Sequence, residues 1–175
     1  YRSRSAYWRL ADIRVPVYSI GAWEKVRLHT RGNLLGFEEV AHVPRKLLML
    51  SGDAQATFHT EPLMLELERW YARWLKGIEN GIENEPPVRV YVQGKNPGFR
   101  CENEWPLARA RATELHLAST GLSLAPEPSA CVQHLDYPRT DFQREIGAIE
   151  FATAPLAADT EVTGPIKLVL FVSSD

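Results

Sequence analysis

Cysteine is scarce in this chain: only Cys101 and Cys131 occur in its 175 residues. They form no Cys-x-x-Cys pair and no Cys/His spacing, so a structural zinc site is not indicated. One disulfide between them and two free thiols in a reducing compartment are both compatible with that count. Long apolar runs are missing as well. No stretch approaches the roughly 18 residues of a membrane-spanning helix, and the N-terminal YRSRSAYWRL holds no apolar signal core. An excess of charge of one sign is also absent. The 20 basic residues face 22 acidic ones, a net charge of −2 with no long block of either. Neither nucleic acid nor an anionic membrane surface is therefore expected as the main partner.

What is present is ordinary globular composition, 45% hydrophobic and 24% charged, enough for one domain or two small ones. Residues 13–21, IRVPVYSIG, are a β-branched and aromatic run ending in Gly, which predicts a strand. AWEKVRLHTRG is polar and irregular. NLLGFEEVA predicts a helix with Asn33 as its cap. RKLLMLSG is a second apolar strand, too short for a buried helix.

The strongest helical signal follows. Leu63, Leu67, Trp70, Tyr71 and Trp74 recur at spacings of three and four, with Glu66, Arg69 and Arg73 on the other side. Thr60 stands where a cap belongs, Pro62 lies in the first turn, and Gly77 is placed to end the helix left-handed. The aromatic stripe reads as core packing. Two strands with a helix between them and another after them form the βαβα pattern of a parallel sheet.

The texture then changes. ENGIENEPP, residues 79–87, is polar and closes on a proline pair, which marks an expected domain boundary. Beyond it, VRVYVQG (88–94), TELHLAS (113–119), GAIEFATAPL (147–156) and GPIKLVLFVSS (164–174) are expected strands. Their long, proline-rich connections suggest a sandwich or jelly roll. His116 falls on a polar strand face and reads as solvated; His42 and His134 have no supporting context. The last strand sets Ile166, Leu168, Leu170 and Val172 on one face and Val169 and Phe171 on the other. Apolarity on both faces demands cover on both sides, so the β-region is expected to be incomplete and the chain truncated at both ends.

Several stretches in this order resemble the cocaine-esterase, glutaryl-acylase (CocE/NonD) and X-Pro dipeptidyl-peptidase group of serine hydrolases. They are YWRLADIRVPVYSIGAW, PRKLLMLSG, ERWYARWLKG, EPPVRVYVQGKN, ENEWPLARARATELHLAS and IEFATAPLAADTEVTGPIKLVLFVSSD. The resemblance implies an α/β plus all-β fold. Residues 1–82 would be the last strands and helix of an α/β-hydrolase sheet, and residues 83–175 the first part of an incomplete jelly-roll β-sandwich.

The resemblance also implies where a triad would lie. In α/β-hydrolases the order is Ser, acid, His, with the acid after the penultimate core strand and the histidine after the last. Here the two loops are AWEKVRLHTRG and DAQATFHTEP. Where the family has Gly-Trp-Tyr-Asp, this chain has GAWE, which places Glu24 as the acid. The family's Gly-Pro-Trp with a His soon after is replaced by SGDAQATFH, which delays the base to His59 and puts Asp53 early in the loop. His29, in LHTRG, resembles a loop histidine of one subgroup and would line the substrate site. The plain alternatives are a surface histidine ahead of a helix cap for His59 and a solvated loop charge for Glu24.

No Gly-x-Ser-x-Gly elbow occurs among these residues, so the nucleophile of such a triad would lie upstream. The implied reaction is acyl transfer on a small ester, amide or short peptide, with no metal or organic cofactor. The expected partner is the remainder of the same chain or a complementing chain. A scaffold that has lost the triad, for binding or biosynthesis, is the alternative. No compartment follows from the residues, though a cytoplasmic one is slightly favoured.

Overall fold

The computed structural model describes residues 2–25, 29–52, 58–119, 121–127, 132–135 and 148–173. The chain divides into two compact units, Tyr1–Ala108 and Arg109–Asp175. The boundary expected near residue 82 falls inside the first.

The first unit holds strands β1 (Val17–Ala22), β2 (Arg45–Leu50), β3 (Val88–Val92) and β4 (Gly98–Glu102), with helices α1 (Thr30–Glu39) and α2 (Glu61–Lys76). The sheet is mixed, in the order β1-β2-β3-β4. β1, β2 and β3 run parallel, and β4 turns back antiparallel to β3. VRVYVQG, expected to open the β-rich region, thus continues the sheet of β1 and β2. The Pro86–Pro87 pair leads directly into that ladder, because the Pro87 carbonyl accepts from Leu47 N–H at 2.8 Å.

β2 is the buried centre, and its alternate side chains serve opposite faces. Leu47 and Met49 pack with Phe37 of α1, Val88 and Val90 of β3, and Trp105 and Leu107 beyond β4. Leu48 and Leu50 pack with Ala22 of β1 and Leu63 of α2. The two helices therefore cover opposite faces.

Helix α1 starts three residues before the expected cap. Its N-cap is His29, and Asn33 lies inside the helix. There the Asn33 side chain reaches back to β1, donating to the Ile20 carbonyl at 2.8 Å and to Ser19 Oγ at 3.3 Å. The close approach requires Gly21, where a Cβ would sit 2.9 Å from Asn33 Cγ. At the other end, Arg45 donates to the Phe37 and Glu38 carbonyls and stacks over the Phe37 ring, which satisfies the open carbonyls of the helix end.

Helix α2 matches its expected ends. Thr60 is the N-cap, and Gly77 closes it left-handed at φ 69°, with Ile78 N–H bonding the Ala72 carbonyl. The stripe holds for Leu63, Leu67, Trp70 and Trp74, but Tyr71 is exposed. Glu66, expected on the polar side, instead enters a half-buried ionic cluster. It accepts from the Tyr18 hydroxyl and the Arg89 guanidinium, with Lys46 Nζ 4.0 Å away. Lys46 is only 7% exposed and pairs with Glu85 at 2.6 Å, which Arg69 also holds at 2.6 Å.

In the second unit, β5 (His116–Ala118) and β6 (Gly121–Ser123) form an antiparallel pair. Leu122 N–H donates to the Ala152 carbonyl at 2.9 Å, and that carbonyl occupies the space a Cβ on Gly121 would need. The strands expected over 147–156 and 164–174 do not form a ladder: residues 148–173 contain no strand. A strand exists only where a neighbour takes its N–H and C=O groups. Among the described residues no strand pairs with Ile166–Val172, which stays exposed, Phe171 at 99%.

Candidate functional site

The carboxyl ends of β1, β2 and β3 meet on one edge of the first unit, which is where parallel α/β sheets gather their ligands. After Ala22, buried at the end of β1, a short turn over Trp23–Lys25 changes the direction of the chain. Trp23 anchors that turn. Its indole Nε1 donates to the Tyr91 carbonyl at 2.7 Å, and its ring packs against Trp105. The buried Thr30 hydroxyl donates to the Ala22 carbonyl at 2.6 Å and ties down the far side.

Glu24, next in sequence, is thereby carried over the ends of the neighbouring strands. Its Oε1 accepts three hydrogen bonds: from Gly52 N–H at 2.6 Å, Ser51 Oγ at 2.8 Å and Gln93 Nε2 at 3.2 Å. Gln93 Nε2 also donates to Ser51 Oγ at 2.9 Å. Ser51 and Gly52 directly follow β2, and Gln93 directly follows β3. Partial burial opposes ionisation of Glu24, but the donors from Gly52, Ser51 and Gln93 outweigh it and hold the carboxyl below the usual glutamate value. Such a group is an anion at neutral pH, suited to orienting a cationic or N–H-bearing partner rather than to taking a proton itself.

His59 is exposed just ahead of α2, its ring edge-on to Phe58 with centroids 5.7 Å apart. No hydrogen bond joins it to Glu24 among the described residues. Asp53 and the rest of 53–57 lie outside those residues. His29 is exposed at the start of α1, and its N–H bonds the Lys25 carbonyl at 2.9 Å. Cys101 is an exposed free thiol, while Cys131 lies outside the described residues. A cavity of about 140 Å³ lies on the α2 side of the sheet, lined in part by Leu50, Thr60, Leu63, Glu66, Arg89 and Phe99, and does not include Glu24. Among the described residues, no group of three or more His, Cys, Asp or Glu is placed to hold a metal ion. No helix there is long and apolar enough to cross a membrane.

Sequence reasoning located Glu24 but missed its two side-chain partners. Ser51 and Gln93 each stand one residue beyond a strand, in LSG and VQG. A polar residue between an apolar strand and a glycine was the available signal.

Residues 80–175 match the family described as the X-Pro dipeptidyl-peptidase C-terminal non-catalytic domain. A protein of Bacillus anthracis assigned as an Xaa-Pro dipeptidyl-peptidase is 38% identical over 65 residues, which are 37% of this chain and 10% of that protein. Two crystal structures of a CocE/NonD family hydrolase from Staphylococcus aureus superpose with TM-scores of 0.61 and 0.60 at 21% and 20% identity. Each match covers 69% of this chain and 23% or 24% of the hydrolase. At that identity the likeness is one of fold. The chain spans about a tenth of the curated relative and about a quarter of the solved hydrolases.

Proposed function

The chain belongs to the family of the X-Pro dipeptidyl-peptidase C-terminal domain, and on that premise we propose that it is part of a serine hydrolase of the X-Pro dipeptidyl-peptidase and CocE/NonD kind. Its substrate is a short peptide, amide or ester. Residues 1–82 are read as the closing portion of an α/β-hydrolase domain and 83–175 as the opening portion of a jelly roll, with β3 and β4 bridging the two through a shared sheet.

In this reading Glu24 is the acid of a Ser-His-acid triad and His59 its base. The serine is not among these 175 residues, since no nucleophile elbow occurs in them. The imidazole takes the proton of the serine hydroxyl as that oxygen attacks the scissile carbonyl, then returns it to the leaving group. The carboxylate holds the imidazole in the required tautomer and stabilises its cationic form. His29, opening the helix after the Glu24 turn, lines the substrate side. The observation that carries the reading is the Glu24 carboxylate itself, ionised and held by donors from the ends of two neighbouring strands. The absence of a bond between His59 and Glu24 is compatible with it, because such contacts often tighten only when substrate binds.

The test is fluorophosphonate labelling of the intact protein with peptide mass spectrometry, alongside turnover by Glu24→Gln and His59→Ala. A labelled serine, with kcat reduced roughly 10³- to 10⁴-fold in each variant, is expected. Full turnover in either variant removes that residue from the mechanism. A folded protein that takes no label favours a scaffold that has lost hydrolysis.

A further inference from the structure

Gln93 lies in the stretch that matches a domain described as non-catalytic, yet its side chain reaches the candidate acid. Its amide nitrogen carries two N–H groups, and the structure gives each an acceptor: Glu24 Oε1 at 3.2 Å and Ser51 Oγ at 2.9 Å. The second contact fixes the first neighbour. Ser51 has one hydroxyl proton; with an oxygen lone pair occupied by Gln93, that proton goes to Glu24 Oε1 at 2.8 Å. Gly52 N–H completes the set on the same oxygen at 2.6 Å. Among the described residues, no donor from another residue reaches Oε2.

From this convergence we propose that Gln93 is a positioning residue for the triad: by holding Oε1 directly and through Ser51, it presents Oε2 to the N–H of the catalytic imidazole. The inference rests on reading Glu24 as the acid. An apolar side chain at 93 would leave Ser51 free to rotate and the carboxylate free to swing about its last torsion. A glutamate standing where the family has aspartate has one more rotatable bond, so it depends more on such a clamp. Gln93 is exposed and outside both cores, so its replacement does not threaten folding.

The experiment uses the intact protein and alanyl-proline p-nitroanilide, with kcat, KM and the pH profile of kcat/KM measured for three substitutions. Gln93→Met removes the donor. We expect kcat to fall about tenfold, the size of one net hydrogen bond to a charged group, with KM within about twofold. The acidic limb should move to higher pH, because a carboxylate relieved of a donor holds the imidazolium proton more tightly. Gln93→Glu should lower kcat further and move the limb further up. Gln93→Lys, which keeps a donor, should restore part of kcat and move the limb down.

A merely structural role would shift all three in one direction. Unchanged kcat and pH profile in Gln93→Met, with Glu24→Gln inactive, overturns this inference alone. Full activity in Glu24→Gln overturns the reading beneath it as well, as does an intact protein with neither turnover nor fluorophosphonate label.

Discussion

Replacing Glu66 of α2 by Met should destabilise the first unit, because its side chain sits in the half-buried ionic cluster against the sheet. The Glu66 side chain is 11% exposed and serves three partners: the Tyr18 hydroxyl, the Arg89 guanidinium and, 4.0 Å off, Lys46. Met keeps the length and removes the charge. Lys46 then retains Glu85 at 2.6 Å, and Arg89, with 36% of its side chain exposed, turns to water. Tyr18 is the group left stranded. Burial first, and the bond to Glu66 second, push its phenol far above its ordinary range, so it is a donor at every working pH. A shielded donor without an acceptor costs about 1–3 kcal/mol, and the lost screened ion pair adds up to about 1 kcal/mol. The expected loss is about 2–3 kcal/mol. The double variant Glu66→Met/Tyr18→Phe, which removes the stranded hydroxyl, should recover about 1 kcal/mol. Urea unfolding followed by tryptophan fluorescence reads this directly, since Trp70 lies 5.3 Å from Tyr18. With m of about 1–3 kcal/mol/M, the single variant's midpoint should fall by about 0.7–3 M. A loss below about 0.5 kcal/mol, or no recovery in the double variant, would refute the reasoning.

Two further outcomes follow from the same packing. Gly21→Ala should destabilise by about 1–3 kcal/mol, because the new methyl meets Asn33 at 2.9 Å and that side chain is held by Ser19 and Ile20; an unchanged unfolding midpoint would show that Asn33 moves aside freely. Glu24 and Glu85 both have folded-state values below the ordinary 4.5, in each case because hydrogen bonds outweigh burial. The unfolded chain therefore binds more protons as pH falls, and the stability these groups contribute is full near neutrality and lost as pH drops through 4.5 and below. The variant Glu24→Gln/Glu85→Gln should show a shallower fall in urea midpoint between pH 6 and 3.5; an identical slope would count against both carboxylates.

Much of the first unit can be read from short windows. The apolar run KLLML is long enough for a strand and too short for a helix, and it became the central strand. The αL stop at Gly77 and the stripe from Leu63 to Trp74 follow from a period of 3.6 and one glycine. Tyr71 broke the stripe: it is exposed, while Leu63, Leu67, Trp70 and Trp74 turn inward. The strand IRVPVYSIG was legible from its β-branched and aromatic run, whereas Glu24 just beyond it was singled out only by the resemblance, through GAWE.

Other features depend on contacts between residues far apart in the chain. Whether VRVYVQG joined the preceding sheet or opened a new one depended on which open edge stood nearest, and β2 supplied it through Leu47–Met49. Strand propensity in GPIKLVLFVSS cannot by itself produce a ladder, which needs a second strand to accept its hydrogen bonds. Glu66 reads as a solvent-side charge in any helical projection, and only its neighbours Tyr18, 48 residues away, and Arg89, 23 away, draw it inward. Gln93 and Glu24 are 69 residues apart and carry no shared motif. Periodicity and propensity act over a turn or a few strand residues and so are written locally, whereas a hydrogen bond between loop ends exists only once three strands lie side by side.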